Sequence, residues 1–247
     1  MDAEFITTLL LIAVVTLGAS YVQGITGFGF GIVAMIFMPT FLLFTEANVL
    51  SGILGGLGSL LIAFELRKLI SFRNLLFPLF GSIVANYLAV LFVKSAKNDV
   101  LILLLGFMLV ILSIYFFFFS GKIKIRPTWY AGLIAGIISG IMSGLFAIGG
   151  PPVVVYYIHS ERDTDHYLAT ISAYFVLSGT FSTVVKAANG FITTNVLIGL
   201  AVGAVVMTVG TLLGKLTRNH VNETVIKRSV YAVMALSGIT NIITAIV

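Results

Sequence analysis

Long apolar stretches separated by short polar clusters make up almost all of this chain. Punctuated by charged and turn residues, they fall at about 5–22, 25–45, 47–64, 75–93, 100–119, 129–147, 150–158, 167–185, 192–213 and 226–246. Most approach the roughly 20 residues that a helix needs to cross the hydrocarbon of a bilayer. The pattern therefore predicts an all-α polytopic membrane protein with about 8–10 membrane segments. Two stretches, 5–45 and 129–158, do not resolve into single spans. Each is interrupted by glycine and proline, at Val22-Gln23-Gly24-Ile25-Thr26-Gly27-Phe28-Gly29-Phe30-Gly31 running on to Pro39, and at Ser139-Gly140-Ile141-Met142-Ser143-Gly144-Leu145-Phe146-Ala147-Ile148-Gly149-Gly150-Pro151-Pro152.

Corresponding positions of the two breaks lie about 116 to 120 residues apart, close to half the chain. Paired broken segments in the two halves of a membrane protein point to a transport site at a repeat interface. Weaker similarities keep the same order and similar spacing. Ile70-Ser71-Phe72-Arg73-Asn74 matches Phe191-Ile192-Thr193-Thr194-Asn195, Asn98-Asp99-Val100 matches Asn222-Glu223-Thr224, and Leu112-Ser113 falls against Leu236-Ser237. The predicted organisation is a first membrane repeat over 1–119, a cytoplasmic linker over 120–128 and a second membrane repeat over 129–247. The repeats together form one transport domain.

Charge decides how the ambiguous stretches run. If 129–158 crosses once, the lysines and arginines divide evenly between the two faces and give no orientation. If it returns to its starting face, one face collects Arg67, Lys68, Arg73, Lys122, Lys124, Arg126, Arg162, Lys215, Arg218, Lys227 and Arg228, while the other keeps Lys94, Lys97 and Lys186. That asymmetry is the mark of a cytoplasmic face. The same return in 5–45 makes the halves inverted-topology repeats with broken or re-entrant segments, and places both termini outside. The acidic start, Met1-Asp2-Ala3-Glu4, lacks the basic opening of a secretory signal and is expected to be retained.

Composition removes several functions. At 59% hydrophobic and 9% charged residues, with a mean hydropathy of +1.14, the chain is far from the roughly one-quarter charged content of soluble domains. The net charge of +5 sits in short loops, where it sets topology, so nucleic acid is not an expected partner. Without cysteine there is no thiolate metal site or catalytic thiol. No cofactor is expected. The run from His159 to His166 has metal-ligand residue types but no structural-site spacing, and reads as a solvated loop. No ionisable group falls mid-segment to pair with a serine, and no HExxH-type motif is present, so neither catalytic nor metal-binding residues are assigned. Glu46, Glu65 and Lys186 near segment ends read as interfacial. Proton coupling, if used, falls to these, to His159 or His166, or to the substrate's own protonation.

The breaks carry the chemistry that remains. Unwound backbone at membrane depth is tolerated only where it is covered by protein or lines a polar cavity. A half-helix starting near Pro152 aims its free N–H groups and positive dipole end at the break, which favours an anion by up to about 2 kcal/mol. Gly27, Gly29 and Gly31 offer the mirror-related end. Candidate substrate-binding residues are thus Gln23, Gly24, Thr26, Gly27, Gly29 and Gly31 in the first half, and Ser139, Ser143, Gly149, Gly150, Pro151, Pro152 and Tyr156 in the second. The other glycines, Gly52, Gly55, Gly56, Gly58, Gly132, Gly136 and Gly140, fit close helix packing.

At Gly24, Gly27, Gly29, Gly31 and Pro39, and at Gly136, Ser139-Gly140, Gly144 and Ile148-Gly149-Gly150-Pro151-Pro152, the sequence resembles the TauE/SafE sulfite exporter family over nearly its whole length. Phe30 departs from it, interrupting what is often a continuous glycine run. The resemblance implies a prokaryotic inner-membrane transporter of sulfite, sulfoacetate or other organosulfonates. The expected function is a secondary transporter of small sulfur-containing anions working by alternating access. The alternative is a passive channel or facilitator for another small oxyanion or carboxylate.

Overall fold

A computed structural model describes residues 3–119, 122–123, 125–217 and 220–246. Ser120, Gly121 and Lys124 of the expected linker, and Arg218 of the basic face, lie outside the described residues. Ten α-helices account for nearly all the rest: α1 Ala3–Thr26, α2 Phe30–Phe37, α3 Phe44–Glu65, α4 Phe72–Ser95, α5 Asn98–Phe118, α6 Trp129–Phe146, α7 Gly150–Ser160, α8 Thr164–Ala188, α9 Thr194–Thr217 and α10 Glu223–Ile246. Short 3₁₀ turns, Met38–Thr40 and Arg67–Leu69, follow α2 and α3, and no strand occurs among the described residues.

Seven of these helices, α1, α3, α4, α5, α6, α8 and α9, are long and apolar enough to cross a membrane. Side chains such as Val14, Phe64 and Leu216, between 68 and 74% exposed, would be untenable in water over so much surface and suit lipid. The chain is a multi-pass membrane protein. The two breaks are real interruptions of helix. At about 1.5 Å per residue, the 8-residue α2 reaches about 12 Å and the 11-residue α7 about 16 Å, well short of the ~30 Å hydrocarbon.

The helices sort into two compact units that draw on both halves of the sequence. One comprises α1, α2, the start of α3 up to Ser51, α5, α9 and α10. The other holds α3 from Gly52, α4, α6, α7 and α8. In the first unit α1 lies along α9 at glycine contacts. A Cβ on Gly24 would come within 2.5 Å of the Thr211 carbonyl oxygen, and one on Gly210 within 2.8 Å of that of Leu17. Helices α5 and α10 cross at Gly106 and Gly238, and Ser113 Oγ donates to the Tyr231 carbonyl at 2.9 Å. In the second unit α6 lies along α4, with Gly136 against the Pro78 backbone and Gly140 against that of Ser82. Lipid gives apolar helices no hydrophobic reason to associate, so contact rests on close backbone approach, which these glycines permit.

The units share an internal plan. In each, the helix before a break packs on a helix from the opposite half of the sequence: α1 on α9, and α6 on α4. In each, a hydroxyl just before that partner helix donates to a carboxylate from the other half. Thr193 Oγ1 reaches Glu46 Oε1 at 2.8 Å ahead of α9, and Ser71 Oγ reaches Glu161 Oε2 at 2.6 Å ahead of α4. Asn74, in the first turn of α4, adds its Nδ2 to Glu161 Oε1 at 3.0 Å. Glu46, read from the sequence as an interfacial residue, is 8% exposed and ties a helix end.

The expected solvated loop between α7 and α8 is shorter than 159–166. Helix α7 continues through His159, whose Nδ1 sits 2.8 Å from the Val155 carbonyl. Asp163 caps α8 by accepting the His166 backbone N–H at 2.9 Å, with the His166 ring Nδ1 at 3.0 Å. These contacts, the backbone N–H first, hold its carboxyl below the usual carboxylate range. A depressed folded-state value makes this contribution present above the unfolded pKa of about 3.9 and lost as pH falls through the folded one. Asp163→Ala should therefore lower the melting temperature at neutral pH, and the gap to wild type should close on acidification. A gap independent of pH would mean that the carboxylate is not the capping group.

Candidate functional site

The first break turns on three residues. Helix α1 ends at Thr26, and Gly27 and Gly29 then adopt φ of 79° and 100°, a left-handed backbone that glycine enters without the steric cost borne by other residues. Thr26 Oγ1 stands 2.8 Å from the Val22 carbonyl and 2.6 Å from that of Phe28, so the threonine ties the end of the helix to the turn beyond it. Gly29 precedes α2 with no side-chain cap. The first N–H groups of α2, at Phe30, Gly31 and Ile32, thus have no acceptor within their own helix. Phe28 leans on Phe116 of α5, centroids 6.4 Å apart, and Phe116 stacks on Tyr231 of α10 at 4.8 Å.

Gln23, 5% exposed, lies one turn before the break and its carbonyl accepts the Gly27 N–H at 2.7 Å. Gly24 belongs to the α1–α9 contact, which accounts for it through packing. The same unit holds a cavity of about 560 Å³ whose polar lining includes Thr8, Thr40, Glu46, Asn98 and Asn195.

The second break is more elaborately bonded. Helix α6 ends on Ala147, whose φ of 56° is the one left-handed value at a non-glycine among the described residues. Its N–H donates to Ser143 at 3.0 Å, and that of Ile148 to Met142 at 3.3 Å, closing the helix as a left-handed cap does. Helix α7 opens at Gly150 with Pro151 and Pro152 in its first turn, two residues ahead of the expected start at Pro152. The prolines carry no N–H, so the free donors are those of Gly149 and Gly150.

Ser139 Oγ donates to the Gly149 carbonyl and accepts from Tyr174 Oη of α8 at 2.8 Å. Ser143 Oγ accepts from Asn86 Nδ2 of α4 at 3.4 Å. A Cβ on Gly149 would meet Ser143 Cβ at 2.9 Å and Ser139 Oγ at 3.0 Å, so the two serines and this glycine form one closely fitted group. Tyr156 stands apart from it, against Gly132 of α6, where an added Cβ would touch its ring at 3.0 Å.

A family model for the sulfite exporter TauE/SafE matches residues 11–241, a span that contains both breaks. The chain belongs to the TauE/SafE sulfite exporter family. It is a membrane transporter of the kind that carries sulfur-containing anions, and not an enzyme. No curated protein and no solved structure matches the chain.

In this TauE/SafE transporter, Ser139, Ser143 and Gly149, singled out in the sequence, lie together, and their partners Tyr174 and Asn86 were not singled out. Tyr174 and Asn86 sit in other helices, outside both glycine- and proline-broken segments. One signal for Tyr174 was available, since Thr170, Tyr174, Ser178, Ser182 and Lys186 recur at spacing four along α8. Lys186, read as interfacial from its place near a segment end, is 3% exposed and so is covered by neighbouring helices. No group of three or more histidine and acidic side chains able to hold a metal occurs among the described residues.

Proposed function

We propose that this protein is a secondary transporter of sulfite, sulfoacetate or another small organosulfonate, working by alternating access of two inverted repeats over 1–119 and 129–247. The anion is held at the Gly/Pro-broken helix ends. The observation that carries this reading is the second break. There a half-helix too short to span begins on free N–H groups beside two buried or half-buried serines fixed by Tyr174 and Asn86. Hydroxyls and backbone N–H groups at a helix N-terminus suit the oxygens of a sulfonate or sulfite. The shared plan of the two compact units supports the repeats, and the lysine and arginine distribution supports an orientation with both termini outside a prokaryotic inner membrane.

The test is uptake and counterflow in proteoliposomes with sulfite, sulfoacetate, taurine and sulfate, each with and without a pH gradient. Saturable flux of a sulfur anion with counterflow is the expected result, and gradient sensitivity would add proton coupling. Flux that neither saturates nor shows counterflow would replace the transporter with a passive channel. Movement only of carboxylates would remove the sulfur specificity.

A further inference from the structure

The geometry points to Lys186 as the counter-charge that binds the transported anion beside the second break. This rests on the transport reading above and assigns the charged member of the same site. Helix α8 carries a row of polar residues at spacing four, Thr170, Tyr174, Ser178, Ser182 and Lys186, and every one is at least nine-tenths buried. Residues four apart share a face of a helix, so the row forms one inward strip about 24 Å long at 1.5 Å per residue. Tyr174 on this strip bonds Ser139 at the break. Ser182 Oγ, one turn before the lysine, is buried and has no hydrogen-bond partner.

The ammonium end of the strip lies in the same unit, next to the break. A Cβ built on Gly52 of α3 would sit 3.6 Å from Lys186 Nζ and 3.9 Å from Cβ of Ala147, the left-handed residue that ends α6. Lys186, Gly52 and Ala147 therefore converge on one small volume. Among the described residues no carboxylate pairs with the lysine, in contrast to His166, which pairs with Asp163. Glu65, which stands at the equivalent place in the first half by the Asn74–Asn195 offset, is exposed. A cation taken out of water without an opposite charge is strongly disfavoured, and a lysine serving only as an interfacial residue would extend its ammonium to the surface. An anion bound between the ammonium and the free N–H groups of Gly149 and Gly150 supplies the missing charge. The site then selects for net negative charge on the ligand as well as for oxygen geometry.

The test compares purified wild type, Lys186→Met, Lys186→Gln, Lys186→Arg and Gly52→Asp. Melting temperature is titrated with sulfite, sulfoacetate, sulfate, acetate and lactate, alongside flux in proteoliposomes. Binding should weaken at least about tenfold in the Met and Gln variants, about 1.4 kcal/mol, and be largely kept in Arg. Gly52→Asp places a carboxylate beside the ammonium as a built-in anion. It should melt higher than wild type and lose the ligand-induced shift, and it reads out the site even if the Met variant fails to fold.

Unchanged affinity in Gln or in Gly52→Asp would overturn the assignment while leaving transport intact. Loss of carboxylate binding in Gln, with no response of wild type to sulfur anions, would uphold Lys186 and defeat the sulfur substrate. If no anion stabilises wild type, the assignment falls, and flux alone judges the transport reading.

Discussion

Gly136→Ala is expected to destabilise the fold strongly. The added Cβ would fall onto the carbonyl oxygen of Pro78 and lie 2.7 Å from its carbonyl carbon and Cα. These are backbone atoms of a 24-residue helix, so no rotamer change can clear them. Overpacking that side chains can absorb costs about 1–3 kcal/mol, and a collision that must push two helices apart lies at or above that range. Set against a typical total of about 5–15 kcal/mol, that is a large fraction, so the melting temperature and the yield of monodisperse protein in detergent should both fall clearly. Gly56→Ala is the matched control, because nothing lies within 4 Å of its added carbon. Alanine is favoured over glycine by about 1 kcal/mol in a helix interior, so this variant should melt at or above wild type. A Gly136→Ala protein with wild-type yield and melting temperature would mean that α4 and α6 do not cross at this point.

The contrast between Gly136 and Gly56 also marks what could be read from the sequence. Hydropathy and helix length announced the long membrane helices, because lipid leaves a run of apolar residues few other uses. Glycine and proline announced both breaks, and Gly27 and Gly29 have the positive φ that such a break requires. Sequence could not say which glycines touch a neighbour. Gly24, offered as a site residue, is explained by its contact with α9, and Gly56 touches nothing. That information lives in the pairing of α1 with α9 and of α4 with α6, across halves of the chain, and no local pattern encodes it. Polar partners were hidden for the same reason. Asn86 and Tyr174 matter through Ser143 and Ser139, which lie 57 and 35 residues away along the chain. At Lys186, nearness to a helix end did not tell whether the side chain is covered. Burial depends on what the neighbouring helices cover, and they cover this lysine.

Gly150→Leu is expected to eliminate transport and leave a folded protein. Gly150 is the first residue of α7 and is only half buried. Its φ is outside the left-handed region, which among the described glycines is occupied by Gly27, Gly29 and Gly190. A leucine can therefore take the native backbone, and helix propensity favours the change. Its side chain, however, would stand over the N–H groups of Gly149 and Gly150, the free donors left in a first turn that otherwise holds Pro151 and Pro152. Losing the roughly 2 kcal/mol that a partly buried helix end gives an anion corresponds to a flux reduction of about thirty-fold at low substrate, before any steric exclusion is counted. The same substitution at Gly29, with φ of 100°, should also damage folding, since such strain costs about 1–3 kcal/mol. Proteoliposome flux and melting temperature measured on both variants separate the two effects. A Gly150→Leu protein that melts like wild type and still transports at the wild-type rate would take the α7 helix end out of the mechanism.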